Sequence, residues 1–326
     1  MLALADSSSW TTDYPLPAIA AGLGLLVGGA SFLVRGAVWI ALVLGLSRMA
    51  IGLTLVAMGT SMPELMVSLS AARSGHSAIA MANVIGSNTA NVLLIVGVAA
   101  AIRAIRTEVR GLEVGYLLLA SALAGVPFVI GAEVSRWLGA VMVAMLVAFC
   151  GQLLQRERRQ RTTEEGERPA GTVLGWLANL TMFAGGLLAL VYGAEWLVDG
   201  SVSIAKSMGM SEALVGMTIV AVGTSLPELA TSALAARRGE SAIAIGNVIG
   251  SNIFNVGAVL GGAALLQPFP VATGELWRLM VATMVSAVWL LAVLVGRFGV
   301  GRAMGLAMLV AYFGYLGLEV ALLPPG

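Results

Sequence analysis

The sequence has very few of the side chains that build disulfides, zinc sites and soluble surfaces. Its 326 residues include one cysteine and one histidine, which excludes an intrachain disulfide and a zinc site made of cysteine and histidine. Only 11% of the residues are charged, whereas a soluble domain carries about 25%. The net charge is +1, so charge gives no indication of a nucleic-acid partner. The shortage of charged residues argues against a soluble protein.

Hydrophobic residues dominate instead. They make up 59% of the chain, and the mean hydropathy is +0.94. Several apolar runs reach about 20 residues, which is long enough to cross a bilayer as a helix. The sequence therefore predicts an all-α membrane protein with ten transmembrane helices. The predicted spans are 16–43, 50–73, 78–101, 112–132, 136–154, 173–205, 212–236, 242–266, 274–296 and 301–322.

One stretch of the sequence occurs twice. Residues 57–92 and 221–256 align without a gap at an offset of 164, and two-thirds of the aligned positions are identical. Each half contains five predicted spans, and an odd number makes matched spans cross in opposite directions. The two halves are therefore predicted to be inverted five-helix repeats, an architecture that recurs in secondary transporters. The first repeat is predicted at 1–154 and the second at 173–326, with a linker at 155–172 between them. The segments in which the two repeats are most similar are 52–97 and 216–261.

The distribution of basic residues predicts the orientation in the membrane. With the N-terminus outside, thirteen arginines fall in cytoplasmic loops and four basic residues fall in outer loops. Cytoplasmic loops carry the excess of arginine and lysine in membrane proteins. We therefore expect a multi-pass protein of the cytoplasmic membrane with both termini outside and the 155–172 linker in the cytoplasm.

The repeated stretch places two carboxylates deep inside apolar spans. Glu64 and Glu228 occupy matched positions, and a charge near the bilayer centre costs roughly 2.5–3.5 kcal/mol on insertion scales. Pro63 and Pro227 precede them, and a proline inside a helix removes a hydrogen bond and displaces the carbonyl four residues back. We therefore expect both helices to open just before the glutamates, at AMGTS and AVGTS.

Hydroxyl and amide side chains share a helical face with these carboxylates. Thr60 and Thr224 lie four residues before the glutamates, and residues four apart are neighbours on a helix. The spans that follow carry polar side chains at the same spacing: Asn83, Ser87 and Asn91, and again Asn247, Ser251 and Asn255. Oxygen ligands with a total charge of −2 suit a hard cation such as Ca²⁺, and the same oxygens serve Na⁺.

The motifs GTSMPEL with NVIGSNTAN, and GTSLPEL with NVIGSNIFN, resemble the two alpha-repeats of the sodium/calcium exchanger family of cation/Ca²⁺ antiporters, in its prokaryotic type. The resemblance implies an antiporter that exchanges Ca²⁺ for Na⁺ by alternating access, at three Na⁺ per Ca²⁺, with the long first and sixth helices sliding across the rest. It implies no cofactor besides the transported ions, no enzyme activity and no obligate protein partner. It also implies that the ions bind to side-chain oxygens of Glu64, Glu228, Thr60, Thr224, Ser61, Ser225, Ser87, Ser251, Asn91 and Asn255 and to the carbonyls of Ala57 and Ala221.

One residue departs from the pattern of many exchangers. Asn255 stands where they carry aspartate, and in the potassium-dependent branch that aspartate is tied to K⁺, so the resemblance implies K⁺-independent transport. The proton-coupled branch usually has asparagine at both matched positions, which keeps H⁺ open as the coupling ion. That branch, however, usually has Asn-Ala before its glutamate, whereas this chain has Thr-Ser.

Two further classes of function stay open at this point. An intramembrane enzyme would use Glu64 and Glu228 as acid and base, although the surrounding hydroxyls and amides suit a cation site better. A channel would also need polar residues at this depth, but inverted halves around one site favour alternating access.

Overall fold

The computed structural model describes residues 8–73, 77–106, 109, 111–131, 133–160, 171–208, 221–271, 280–281, 283–288, 290 and 299–321. These residues are predominantly helical. The helices are α1 (Ser8–Asp13), α2 (Pro15–Leu44), α3 (Arg48–Thr60), α4 (Met62–Arg73), α5 (Ser77–Ala90, continued by Asn91–Ile95 and Val96–Ile102), α6 (Gly111–Ile130), α7 (Arg136–Gln160), α8 (Val173–Ser207), α9 (Ala221–Gly223), α10 (Leu226–Arg237), α11 (Ser241–Phe254, continued by Asn255–Leu260 and Gly261–Leu266) and α12 (Arg302–Ala321). Residues 280–281, 283–288 and 290 are also helical.

Six of the described helices are long and apolar enough to cross a membrane, or seven when the bent pair α3 and α4 counts as one span. The prediction of a helical membrane protein is therefore confirmed. The predicted spans 212–236 and 274–296 extend outside the described residues, and the last predicted span corresponds to a shorter apolar helix, Arg302–Leu318. The two predicted long spans are α2 with 30 residues and α8 with 35.

The helix that contains the fifth predicted span continues into the predicted linker. The sequence predicts a span that ends at 154 and a linker that begins at 155, and α7 runs on to Gln160. Its last turns are held by the loop and helix beside them. Glu157 accepts hydrogen bonds from the backbone N–H and the hydroxyl of Ser47, at 2.6 Å and 3.1 Å, and Arg156 forms a 2.9 Å ion pair with Glu113. These tertiary contacts extend the helix beyond the apolar run that marked it in the sequence.

Helices α5 and α11 lie at the centre of the bundle. In an apolar 18-residue stretch of each helix, 78% of the residues of α5 and 89% of those of α11 are buried, whereas only 17% are buried in α8. The central helices therefore pack against protein on nearly all sides, and α8 keeps a broad face outside the bundle. The polar stripes that the sequence singled out in α5 and α11 are thus enclosed by protein.

Helices α2 and α8 run antiparallel in close contact. A Cβ atom on Gly22 would lie 2.7 Å from the Gly193 carbonyl oxygen, and one on Gly29 would lie 2.8 Å from the Gly186 carbonyl oxygen. At the offset of 164, Gly22 corresponds to Gly186 and Gly29 to Gly193, so the two contacts are one contact repeated. Glycine is required at this crossing because any side chain would force the backbones apart.

Within the ranges that the structure describes, two short antiparallel pairings join residues of the first half to residues of the second. Val134 in β1 (Glu133–Val134) pairs with Phe269 in β2 (Phe269–Pro270), and Ile105 pairs with Val300. Ile105 matches Phe269 at the offset of 164, and their partners Val300 and Val134 lie within two residues of matching, so these pairings are also reciprocal. Each joins the segment after one central helix, α5 or α11, to a segment of the other half.

Candidate cation site

The helix that carries the first glutamate is broken at Ser61. Helix α3 ends at Thr60, α4 begins at Met62, and the two helices are bent by 46°. Ser61 has φ −83° and ψ 8°, and its counterpart Ser225 between α9 and α10 has φ −88° and ψ 4°. Both breaks fall two residues before the prolines, as expected from a ring that cannot fit the preceding helical turn.

Three π-helical turns of the described residues flank the candidate site. They are Gly52–Val56 in α3, Asn91–Ile95 in α5 and Asn255–Leu260 in α11. A π-helical turn widens the helix by one residue and is often found at functional sites. Two of these turns begin at the predicted ligands Asn91 and Asn255. The sequence pattern indicated the ligands but not the π-helical turns.

Glu64 and Glu228 are fully enclosed in the first turns of α4 and α10. Their exposed fractions are 1% and 0%. Both ion pairs found in the described part of the chain lie elsewhere, between Arg48 and Glu240 and between Arg156 and Glu113. A helix N-terminus stabilises a nearby negative charge by about 0.3–1 kcal/mol at exposed sites, which falls far short of the cost of burying an ionised carboxylate.

The two copies of the motif meet at these carboxylates. Ser61 of the first copy donates a hydrogen bond to Glu228 Oε1 of the second copy at 3.0 Å, and Ser251 lies 3.5 Å from the same oxygen. Thr60 of the first copy donates to Asn247 Oδ1 at 3.1 Å and lies 3.4 Å from the Ala57 carbonyl oxygen. One site is therefore built from both halves of the chain.

Seven of the predicted ligand residues present a buried oxygen that has no hydrogen-bond partner among the described residues. Such atoms are rare in folded proteins, because an unpaired buried polar atom loses its hydration without compensation. The atoms are Glu64 Oε2, Glu228 Oε2, Ser87 Oγ, Thr224 Oγ1, Ser225 Oγ, Asn91 Oδ1 and Asn255 Oδ1. Oxygens of this kind can bind a cation that enters the site, so the donor set fits the transported ion that the sequence predicts.

The two backbone carbonyls in the predicted set lie beside the breaks. The Ala57 carbonyl accepts the Ser61 N–H at 3.0 Å, so one of its two lone pairs is already used. Ala221 begins the three-residue helix α9. Both residues stand seven positions before the glutamates, and the Ala57 carbonyl lies 3.4 Å from Thr60 Oγ1.

Two asparagines of the predicted stripes brace helices instead of presenting free oxygens. Asn83 donates to Ser68 Oγ at 2.9 Å and to the Glu64 carbonyl at 3.3 Å. Asn247 donates to Ser232 Oγ at 3.0 Å and to the Glu228 carbonyl at 3.5 Å. The sequence reasoning missed Ser68 and Ser232, although they match each other and stand four residues after the glutamates.

A second pair of asparagines, Asn88 and Asn252, hydrogen-bonds to Asn255 and Asn91. Within the described part of the chain, no group of three or more histidine, cysteine, aspartate or glutamate side chains is placed to hold a metal. The chemistry of the site is therefore two carboxylates surrounded by neutral hydroxyl, amide and carbonyl oxygens. Such a set suits hard monovalent or divalent cations and not soft metals.

A membrane-spanning helical bundle with a duplicated, all-oxygen cation site is typical of ion-coupled transporters. The sequence model of the family described as sodium/calcium exchanger protein matches residues 15–154 and 178–320. The chain belongs to this family, which is one of membrane antiporters and not of enzymes.

Three relatives illustrate the similarity. The putative antiporter CaxA of Alkalimonas amylolytica is 37% identical over 306 residues, covering 90% of this chain and 95% of the relative. The sodium/calcium exchanger MaX1 of Methanosarcina acetivorans is 33% identical over 336 residues, with the same coverage of 90% and 95%. A solved structure of the sodium-calcium exchanger NCX_Mj, soaked with 10 mM Na⁺ and zero Ca²⁺, superposes with a TM-score of 0.78 at 28% identity, covering 96% of this chain and all of that one.

Proposed function

We propose that this chain is a K⁺-independent secondary antiporter that exchanges Ca²⁺ for Na⁺ across the cytoplasmic membrane by alternating access. The observation that carries the proposal is the set of unpartnered buried oxygens contributed by both motif copies around Glu64 and Glu228. Two carboxylates without a basic partner among the described residues need cations to neutralise them. One Ca²⁺ supplies the same charge as two monovalent cations, so the two ions compete for one site.

The ligand assignment follows the same oxygens. Glu64 and Glu228 bind Ca²⁺ from opposite halves, and the neutral oxygens complete the coordination of Ca²⁺ and Na⁺. These neutral ligands are Thr60, Ser61, Ser87 and Asn91, their counterparts Thr224, Ser225, Ser251 and Asn255, and the carbonyls of Ala57 and Ala221. Ca²⁺ takes six to eight oxygens in flexible geometry, which two carboxylates alone do not provide.

The proposed architecture is ten spanning helices in two inverted repeats, at 1–154 and 173–326. The antiparallel contact of α2 with α8 supports it, because matched helices that run in opposite directions are what an inverted repeat requires. The reciprocal pairings of Ile105 with Val300 and of Val134 with Phe269 support the same relation. The excess of arginine in alternate loops supports outside termini and a cytoplasmic linker.

Sodium is the proposed counter-ion because the site offers more than carboxylates. Protons need only Glu64 and Glu228, whereas Na⁺ needs the hydroxyl and carbonyl oxygens that surround them. Three Na⁺ would leave a surplus positive charge, which the dipoles of the asparagine, serine and threonine side chains can spread. Asparagine at 255 supports transport without K⁺, because an aspartate at that position is tied to K⁺ in the potassium-dependent branch.

The proposal is tested with purified protein in Na⁺-loaded liposomes at equal pH on both sides. We expect Ca²⁺ uptake that follows the Na⁺ gradient, proceeds without K⁺, and drives the interior negative as three Na⁺ leave for each Ca²⁺. Uptake that ignores Na⁺ and follows an imposed pH gradient would instead assign the chain to the proton-coupled class. A requirement for K⁺ would contradict K⁺ independence, and uptake without a change in potential would contradict the three-to-one ratio.

A further inference from the structure

Asn88 and Asn252 hold the two asparagines, Asn255 and Asn91, whose side-chain oxygens are buried without a hydrogen-bond partner among the described residues. Asn255 Nδ2 donates to Asn88 Oδ1 at 3.0 Å, and Asn91 Nδ2 donates to Asn252 Oδ1 at 2.9 Å. All four side chains are buried, with exposed fractions of 6% or less. Each hydrogen bond crosses from one half of the chain to the other, so each half orients a side chain of its counterpart.

We call the side-chain amides of Asn88 and Asn252 the outer pair and those of Asn91 and Asn255 the inner pair. The outer pair is itself anchored to the backbone. Asn88 Nδ2 donates to the Asn252 carbonyl at 3.3 Å, and Asn252 Nδ2 donates to the Asn88 carbonyl at 3.4 Å. A carboxamide has its donor and acceptor groups fixed in one plane. Anchoring the NH₂ group of Asn88 therefore fixes where its Oδ1 points, and that oxygen in turn fixes the NH₂ group of Asn255.

The arrangement leaves one free acceptor on each inner amide. Asn255 and Asn91 use their NH₂ groups on the outer pair, and their Oδ1 atoms are buried without a hydrogen-bond partner among the described residues. If either amide turned over, its NH₂ group would face the cation and its oxygen would face another oxygen. Both changes are unfavourable, so the four-membered network has one preferred state.

We infer that Asn88 and Asn252 are positioning residues that keep the Asn255 and Asn91 carbonyl oxygens directed at the transported cation and that restrict both inner positions to amides. The inference rests on the proposed function, since the cation is the one transported. An aspartate at 255 would place a carboxylate about 3.0 Å from Asn88 Oδ1. Asn88 would then have to turn and lose its bond to the Asn252 backbone. The network thereby favours a site whose only charges are Glu64 and Glu228.

A double-mutant cycle tests this role through the hydrogen-bonded pairs. Ca²⁺ affinity is measured by calorimetric titration of the purified full-length chain and of its Asn88→Ala, Asn255→Ala and doubly substituted variants. Loss of a residue that orients a metal ligand typically costs 10–100-fold in affinity. We expect each single variant to lose about tenfold or more, and the double variant to be no weaker than Asn255→Ala alone, because Asn88 acts only through Asn255. The reciprocal cycle of Asn252 with Asn91 should behave in the same way.

The matched control is a pair on one helix that shares no hydrogen-bond partner, Asn88 with Asn83, since Asn83 donates to Ser68 Oγ and to the Glu64 carbonyl. Its two losses should multiply, to within about threefold, as expected for groups that act independently. Thermal unfolding without Ca²⁺ is recorded for every variant, since a purely structural role would lower the melting temperature without coupling the Ca²⁺ affinities.

A conservative variant covers the case in which Asn88→Ala does not fold. Asn88→Asp keeps an acceptor for Asn255 Nδ2 but loses the donor that anchors the side chain to the Asn252 backbone, so it should lose less Ca²⁺ affinity than Asn255→Ala. A loss equal to or larger than that of Asn255→Ala would overturn the positioning role. So would losses that multiply in the hydrogen-bonded pairs, or an Asn88→Ala affinity within twofold of the unmodified chain. If the unmodified chain binds no Ca²⁺, the proposed function fails, and this inference fails with it.

Discussion

At the scale of single residues, the site depends on two carboxylates that no basic side chain neutralises within the described part of the chain. We expect Glu64→Gln or Glu228→Gln to abolish Ca²⁺ transport in liposomes while the protein stays folded. Removing one charge of a buried ionic pair costs about 3–5 kcal/mol, which corresponds to a loss of affinity on the order of 100-fold or more. A ligand at 100 times its Kd stabilises a protein by about 2.7 kcal/mol, so the rise in melting temperature with Ca²⁺ should also disappear.

Glu240→Gln is the matched control for these variants. Glu240 pairs with the half-exposed Arg48 outside the site, so its loss should leave both the Ca²⁺ flux and the Ca²⁺-dependent melting temperature unchanged. Near-normal transport by either well-folded site variant would contradict the ligand assignment.

The sequence alone identifies Glu64 and Glu228 well, because it shows both their position deep inside apolar spans and their place in a repeated motif. It predicts less well which face a side chain takes. Asn83, Ser87 and Asn91 follow a four-residue spacing, but a helix turns 100° per residue, so each step rotates the side chain by about 40°. Two steps carry Asn91 well away from Asn83, which explains why Asn83 braces Ser68 while Asn91 presents an oxygen to the site. The partner of Asn91, Asn252, lies in the other half and is invisible to any local pattern.

At the scale of helices, α2 and α8 depend on the absence of side chains where they cross. A Cβ atom on Gly29 would lie 2.8 Å from the Gly186 carbonyl oxygen, whereas one on Gly28 would meet nothing within 4 Å. We expect Gly29→Val to lower the stability of the purified protein by about 1–3 kcal/mol, as overpacking does in other cores, and to slow Ca²⁺ flux.

Gly28→Val introduces the same side chain one position away on the same helix. It should leave the melting temperature and the flux nearly unchanged, which separates steric overlap from the helix propensity of valine. Equal destabilisation by the two variants would show that the α2–α8 contact does not require glycine. The sequence indicated both long helices, but it did not indicate this crossing, because a glycine at a helix contact and a glycine facing lipid look alike in a single sequence.

At the scale of the whole molecule, the distribution of arginine predicts which end of the bundle faces the cytoplasm. Arg158 is exposed near the end of α7, and Arg73 is exposed at the end of α4. In a Cys150→Ser background, we expect Arg158→Cys to react with a membrane-impermeant thiol reagent only in opened cells. Arg73→Cys should react in intact cells and serves as the opposite-face control. The reverse pattern of labelling would invert the proposed orientation.

The two reciprocal pairings between the halves also have a consequence for how the protein is made. Val134 and Ile105 leave the ribosome long before their partners Phe269 and Val300. At a synthesis rate of about 5–20 residues per second, the first half waits roughly 7–40 s for the strands that complete it. Glu228 and Asn252 are made late in this interval, so for most of it the first-half residues Ser61 and Asn91 lack their second-half partners. The nascent first half is therefore expected to depend on lipid, the insertion machinery or a chaperone to shield these groups until synthesis ends.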